Sequence, residues 1–413
     1  MLYSLFAIVI LISVYTARHY AFTLNRLFGF QRHPYIDIDV ADWPAVTILV
    51  AAHNEERVIT NILEALMNVN YPQDKMLVVP IDDRSTDRTG AIIDRFCEEH
   101  PGRIRPFHRT GGKGGKAAAL KDAMELVETE VVLVFDADYI PPCGLIKQLV
   151  APFFDPEVGG LMGRVVPLNV GTNLLTRLLD FERSGGYQVD QQARMNLGLV
   201  PQHGGTVAGV RLSALRGIGG WNENSLSEDT DLTYRLLLAG WKTVYQNRSE
   251  CYEEVPETWE VRIKQLMRWA KGHNQALAAY GLKLLFGYHR ATLRERLDGF
   301  LLLGVYVMAP VTLIGWLLAL ALFYEGVAPL HGVIALLAIT AYGATGNFAA
   351  FFEIAAANRL DYTRQRICLL PFLVLGFGVS IFSVSQACLS QLLAPITRSQ
   401  FHWDKTERFR PVQ

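Results

Sequence analysis

Three short acidic groups in this chain have the residue types and spacing to do chemistry: Asp82 and Asp83 in "PIDDRSTD", Asp136 and Asp138 in "VVLVFDADYIPP", and Glu228 and Asp229 in "SLSEDTDL". In the second, an apolar run stops at two carboxylates one residue apart. A purely structural strand end would be served by one polar residue and a glycine. If the chain is still extended there, side chains alternate with a period of two, and both carboxylates fall on one face. Two like charges on one face repel unless a cation stands between them, and a divalent metal ion meets that need. The plainer role for such a pair is a turn or a helix cap. In the third group, acidic residues in a first helical turn also complement the helix macrodipole. Ser227 with Thr230 three residues on is not a capping box, so capping alone does not account for Glu228 and Asp229. One of them has the chemistry of a general base.

Two basic stretches could partner these acids. "GGKGGKAAAL" (111–120) invites a phosphate-loop reading that fails, because Thr110 stands at the first glycine position and Ala117 follows Lys116. What survives is a glycine-flanked Lys116 near a helix N-terminus, suited to an anion or to a solvated loop. "IKQLMRWAKGHNQ" (263–275) puts Gln265 and Arg268 three apart on one helical face, with Trp269 beside them. An interfacial helix, its Trp at headgroup level and its Arg snorkelling, explains the same spacing.

The elements that must position these residues alternate. "VTILVAAHNEE" is an apolar run followed by helical spacing in "RVITNILEALMNV", and "KMLVVPIDDRSTDRTGAIIDRFCEEH" repeats the plan. "GKAAALKDAMELVE" is another helix former and "VVLVFDADYI" another buried strand. Unbroken apolar strands alternating with helices predict a parallel sheet covered on both faces. Ligands in such sheets bind beyond the carboxyl ends of the strands. That places Asp82, Asp83, Asp136 and Asp138 along one rim.

Composition separates this soluble-looking middle from its flanks. A formal charge of −1 over 413 residues gives no argument for a nucleic-acid partner. The five cysteines are scattered without a C-x-x-C pair, which suggests neither a disulfide framework nor a zinc site and fits a reducing compartment. The N-terminal apolar run is followed, not preceded, by Arg18, His19, Arg26 and Arg32, so it reads as a membrane anchor with the chain after it in the cytoplasm. Three further apolar stretches cover 300–324, 330–355 and 367–395. The connector "EGVAP" lacks basic residues and belongs outside, whereas "NRLDYTRQR" and the tail from 397 are basic and belong inside. Three full crossings would leave the tail outside. The parity closes only if one stretch is re-entrant or lies along the interface. No midplane cluster of ionisable residues argues for a transporter.

Taken in order, "AAHNEE", "DDRSTD", "GKAAALKDAM", "FDAD", "GTVAGVRLSALRGIGGWNE", "SEDTDL", "QLMRW" and "WDKTER" make the chain resemble the membrane-embedded family two glycosyltransferases, from residue 46 to 408. That inverting group includes hyaluronan, chitin, cellulose and poly-N-acetylglucosamine synthases. The resemblance implies an α/β GT-A catalytic domain, a Rossmann-like mixed sheet with helices on both faces, plus an α-helical transmembrane region. It divides the chain into an anchor (1–24), the cytoplasmic GT-A domain (43–258), amphipathic interfacial helices (259–298), transmembrane helices (299–396) and a basic cytoplasmic tail (397–413).

The resemblance also implies roles. Asp82 and Asp83 look like the nucleotide-binding acids, Asp136 and Asp138 like the D-x-D that meets ribose and the metal-bound diphosphate, and Lys116 like the diphosphate-contacting lysine. Asp229 looks like the catalytic base, with Glu228 beside it on the acceptor side. Gln265, Arg268 and Trp269 match Q-x-x-R-W at the acceptor end, where Arg268 adds positive charge toward the leaving group. Trp403, Lys405 and Thr406 look like a tail motif that folds back over the nucleotide. The implied cofactor is Mg²⁺ or Mn²⁺, suited to oxygen ligands and diphosphate. The implied partners are a nucleotide-sugar donor leaning to UDP, a glycan or lipid acceptor and membrane lipid, with no nucleic acid and no specified accessory subunit. The expected product is a growing polysaccharide made at the inner (plasma) membrane by a multi-pass protein. The alternative is single addition to a lipid such as diacylglycerol. Three departures stand out: Arg84 replaces the glycine of D-D-G-S, His53 replaces a tyrosine before N-E-E, and only one hydrophobic segment precedes the catalytic domain, where many processive synthases have two.

Overall fold

The computed structural model describes residues 1–35, 42–287, 290–326, 349–361 and 364–397. The described residues form seven strands: Val46–Ala52 (β1), Met76–Asp83 (β2), Phe107–Arg109 (β3), Val131–Asp136 (β4), Val158–Pro167 (β5), Ala208–Arg211 (β6) and Lys242–Glu253 (β7). They form one sheet in the order β3-β2-β1-β4-β6-β5-β7. The half carrying β3, β2, β1 and β4 is parallel, as the strand–helix alternation predicts. β6 runs antiparallel to both its neighbours, and β5 pairs parallel with β7. The sheet is therefore mixed, the form the family resemblance implies.

Helices cover both faces because alternate strand residues point to opposite sides. On one face Ile48, Val50, Leu133 and Phe135 pack with Ile59–Met67 (α2), Thr89–Glu99 (α3) and Leu145–Val150 (α5). On the other, Leu49, Val79, Val132 and Val134 pack with Lys116–Ala123 (α4), Leu212–Gly217 (α8) and Glu228–Leu238 (α9). α2 shows why: Ile59, Ile62, Leu63 and Leu66 recur at helical spacing and are all buried. α9 ends at Leu238, Gly240 follows at a φ of 86° that no helix continues through, and the chain re-enters the sheet as β7.

The remaining helices are Leu2–Phe28 (α1), Leu174–Ser184 (α6), Gln192–Leu197 (α7), Trp259–Phe286 (α10), Leu293–Leu303 (α11), Met308–Tyr324 (α12), residues 349–360 (α13) and Leu373–Thr397 (α14). A π-helical segment, Gly185–Gln191, joins α6 to α7. Three helical stretches, Leu2–Phe28, Val305–Tyr324 and Arg366–Ala394, are long and apolar enough to cross a bilayer. Only the end of the apolar stretch 330–355 falls within the described residues. Trp403, Lys405 and Thr406 lie outside them.

Candidate active site

The adjacency of β2, β1 and β4 brings their carboxyl ends together. Register pairs Ala52 with Asp82 and Ala51 with Asp136, so the rim expected from the sequence is present. The two residues of each acidic pair nevertheless do different things. Asp82 turns into its own loop, accepting from the Ser85 N–H (3.0 Å) beside His108 (3.2 Å). Asp83 lines the cavity. Its carboxylate accepts from the Gly115 N–H (3.0 Å) and from Arg84 Nε (3.0 Å) and is paired with Arg109. It thereby ties the end of β2 to the glycine loop ahead of α4. Arg84 sits at φ 58°, a left-handed conformation that glycine enters without strain, and it donates to the Gly112 carbonyl (3.1 Å).

Asp136 and Asp138 do not share a strand face. β4 ends at Asp136 and the chain turns, with the Tyr139 N–H donating to the Asp136 carbonyl (3.2 Å). The turn brings both carboxylates to the same cavity. Asp138 is buried, while the Asp136 side chain keeps about a third of its surface. Lys116, at the start of α4, donates to Asp136 (2.5 Å) and to the Gly205 carbonyl (2.8 Å) and stands 3.5 Å from Glu228. Burial alone would lower the Lys116 pKa, but Asp136 and Glu228 outweigh it and hold the ammonium above its ordinary value. Gly205 has to be glycine. Its φ is +73°, and a Cβ there would meet Glu228 Oε1 at 3.1 Å and Asp229 Cβ at 3.2 Å.

Glu228 and Asp229 open α9. Ser227 is the N-cap residue but makes no side-chain cap bond, as its spacing from Thr230 suggested. The Asp229 carboxylate accepts from the Thr230 N–H (2.7 Å). Burial raises both carboxyls above their ordinary range. Lys116 opposes this at Glu228, while the Thr230 N–H, Lys116 and Arg268 oppose it at Asp229.

α10 presents Gln265, Arg268 and Trp269 to the same cavity. Two guanidiniums, from Arg183 and Arg262, each lie over the Trp269 ring at 5.2 Å from its centroid. Arg262 also donates to Gln265 (2.8 Å) and pairs with Glu182, and Arg183 Nε donates to Glu253 (2.6 Å). The sequence reading missed Arg183 and Glu253, along with Tyr187, Asp190 and Gln191 of the π-helical segment, and Gln202, His273 and Tyr306. Gln202 donates to Thr230 Oγ1 (3.1 Å) and lies 3.2 Å from His273, which burial pushes down to about 4 and so keeps neutral. The dense polar run "RSGGYQVDQQ" ahead of an otherwise ordinary helix was the available signal.

The cavity encloses about 480 Å³, within the usual range for a small-molecule site. Among the described residues no three His, Cys, Asp or Glu side chains gather into a ready-made metal cage. The donors on offer are carboxylate oxygens, Asp138 and Asp136, which suits a hard cation that takes one or two protein carboxylates and completes its shell with phosphates and water.

Comparison with known proteins agrees with this geometry. Residues 44–272 match the family described as Glycosyltransferase like family 2. A probable glycosyltransferase, YdaM of Bacillus subtilis, is 30% identical over 261 residues, covering 61% of this chain and 62% of that protein. A beta-monoglucosyldiacylglycerol synthase of Synechocystis sp. is 35% identical over 245 residues, covering 59% of this chain and 51% of that protein. This chain thus spans less than two thirds of the length of those two relatives. A beta-monoglucosyldiacylglycerol synthase of Nostoc sp. is 30% identical over 349 residues, 84% of this chain and 73% of that protein. Among solved structures, a mannosyltransferase of Pyrobaculum calidifontis in complex with GDP-Man and Mn²⁺ superimposes with a TM-score of 0.60 at 21% identity, covering 86% of this chain and 99% of that one. The fold is that of the GT-A glycosyltransferases, and the chain belongs to glycosyltransferase family 2.

Proposed function

We propose that the protein transfers one sugar from a nucleotide sugar, UDP-linked, to the hydroxyl of a membrane lipid with inversion at the anomeric carbon. The observation that carries this reading is the meeting, in one cavity, of Lys116, Asp136 and Asp138 at the strand ends with the Glu228–Asp229 pair and Arg268. A Mg²⁺ or Mn²⁺ ion held by Asp138, and by Asp136 once Lys116 turns to the diphosphate, would supply Lewis-acid stabilisation of the leaving group. Asp83 fixes the glycine loop that carries Lys116. Asp229 takes the proton of the acceptor hydroxyl as that oxygen bonds to the anomeric carbon and the bond to the diphosphate breaks. A carboxyl with a raised pKa is the better matched base for such a hydroxyl. Arg268 favours the ionised form of Asp229 against the opposing effect of burial and adds charge near the developing diphosphate.

The acceptor class follows from the far wall. Leu302, Val305 and Tyr306 line the cavity where the Val305–Tyr324 apolar stretch begins, so the acceptor end faces the membrane side. The Trp269 ring is already covered by two guanidiniums, so an acceptor sugar of a growing polymer would have to displace one to stack there. Both features favour a lipid hydroxyl over a polysaccharide end, in keeping with the named activity of the Synechocystis and Nostoc relatives. We place the catalytic domain on the cytoplasmic face of the plasma membrane.

The test uses the full chain in lipid nanodiscs with Mg²⁺ or Mn²⁺, diacylglycerol and a panel of radiolabelled nucleotide sugars. Label should enter a discrete lipid-extractable product and be lost with Asp229→Asn. Label in aqueous high polymer would move the acceptor to a polysaccharide, and equal turnover by the variant would remove Asp229 from its role.

A further inference from the structure

A second cavity, of about 240 Å³, lies against the first between α6, α10 and the segment leading into α10. The two share Glu182, Arg183, Gln265, Trp269 and Tyr306, so the stack of Arg183 and Arg262 on Trp269 stands where they meet. The outer walls are Leu179, Val255, Pro256 and Leu266, all buried. We propose that this cavity holds the glyceride part of an uncharged diacyl lipid, with its free hydroxyl reaching past Trp269 toward Asp229. The inference rests on the lipid-acceptor reading above.

Size, charge and access argue for that occupant. The cavity has half the volume of its neighbour, and its walls offer no strand-end amides or glycine loop of the kind that cradles a diphosphate. Its two cations are already balanced, Arg262 by Glu182 and Arg183 by Glu253, so an anionic headgroup would gain little there. Arg183 commits only Nε to Glu253, and among the described residues no protein acceptor engages its two terminal nitrogens. Those are donors for ester carbonyls. The aliphatic walls suit the first carbons of an acyl chain.

The walls also belong to helices that touch the membrane side. Leu178 and Phe181 of α6 pack on Leu373 of α14, and Met267 and Ala270 of α10 pack on Val384 and Cys388. Tyr306, a wall of both cavities, packs in the same cluster. The outward face of α14 exposes Val374, Leu375 and Phe382, the surface a lipid would leave to enter between α6 and α10.

The experiment photo-crosslinks the full chain in nanodiscs with a diacylglycerol carrying a diazirine near the ester, and maps the adducts. Adducts should fall in residues 174–184 and 255–269 and be competed by unlabelled diacylglycerol. Filling the cavity with Leu179→Trp should raise KM for diacylglycerol about tenfold, equivalent to ~1.4 kcal/mol of binding. KM for the nucleotide sugar, and its slow hydrolysis without acceptor, should stay as in the wild type. Adducts elsewhere in a protein that does make glycolipid would overturn this site and leave the proposed function standing. Mapped adducts at the site without glycolipid formation would keep the lipid site and remove the acceptor assignment. The adduct map needs no variant, so it decides the matter even if Leu179→Trp folds poorly.

Discussion

At the scale of single residues, burial of the Glu228–Asp229 pair ties activity and stability to the same carboxyls. A carboxyl whose folded pKa is raised contributes stability below its unfolded value, about 4 for Asp or Glu. That contribution is lost as pH rises through the folded value. Asp229 is raised by burial, so at neutral pH its ionised form opposes folding. Asp229→Asn keeps an oxygen for the Thr230 N–H and cannot ionise. It should melt higher than the wild type at pH 7–8, with the difference shrinking toward pH ~4, while kcat/KM falls about 10²–10⁴-fold. Thermal melts across pH, paired with transfer assays, check both signs, and a variant less stable at pH 7 would contradict the burial argument. Because Arg268 lowers the Asp229 pKa, Arg268→Gln should move the acid limb of the kcat/KM profile to higher pH. An unmoved limb would dissociate the two residues. Arg84 offers a different trade. Its left-handed backbone costs roughly 1–2 kcal/mol, opposed by its bonds to Asp83 and the Gly112 carbonyl. Arg84→Gly should leave unfolding free energy within about 1 kcal/mol of wild type, yet raise KM for the nucleotide sugar by freeing the glycine loop. An unchanged KM would make Arg84 a mere surface residue.

At the scale of elements, the base is positioned by how closely α10 can approach α9. A Cβ at Gly272 would come within 1.8 Å of Ser227 Oγ and 2.6 Å of its Cβ, so Gly272→Ala forces the two helices apart beside Asp229. Overpacking of this kind destabilises by about 1–3 kcal/mol, and activity should fall with it. Adding Ser227→Gly removes both clashing atoms and leaves only the backbone nitrogen at 3.1 Å. The double variant should recover stability relative to Gly272→Ala alone. A double-mutant cycle reads the coupling, and strict additivity would mean the contact is not what limits the approach. The same pair shows what sequence could and could not reveal. Strand ends, acidic turns and the α10 motif were legible because local periodicity fixes them, and adjacency of β2, β1 and β4 then follows from parallel-sheet rules. The separate duties of Asp82 and Asp83, and the turn that breaks the strand before Asp138, depend on where Ser85, Gly115 and Tyr139 fall in space. Arg183, Glu253 and the second cavity stayed hidden for a similar reason. They arise from contacts between β7, α6 and α10, whose sequences carry no shared period.

At the scale of the molecule, the path of α14 bears on whether the third apolar stretch after the catalytic domain crosses the membrane. The end of α13 is docked on the catalytic side: Asp361 accepts from Arg164 (2.7 Å), Ser184 (2.5 Å) and Gln188 (2.5 Å). Arg366, a few residues on, pairs with Asp180 of α6. α14 then begins against Leu178 and Phe181, and its last described polar contacts are still with the catalytic side. There Asn274 donates to Gln391 (2.8 Å), and Gln391 donates to the Lys271 carbonyl (2.8 Å). Eighteen residues separate Leu373 from Gln391, and at about 1.5 Å per residue a perpendicular helix would have travelled ~27 Å away, nearly a bilayer core. It has instead moved from α6 to α10. We propose that α14, although long and apolar enough to cross a bilayer, lies along the membrane face instead, with Val374, Leu375, Phe382, Leu389 and Leu392 exposed. On that proposal the tail, with Trp403, Lys405 and Thr406, is expected on the side of the catalytic domain, as the family resemblance implies. A single cysteine introduced at Gln413 should resist a membrane-impermeant maleimide in intact cells and react after the cytoplasmic face is opened, and a C-terminal green fluorescent protein should fluoresce. Labelling from outside would restore α14 as a crossing and remove the tail from the active site.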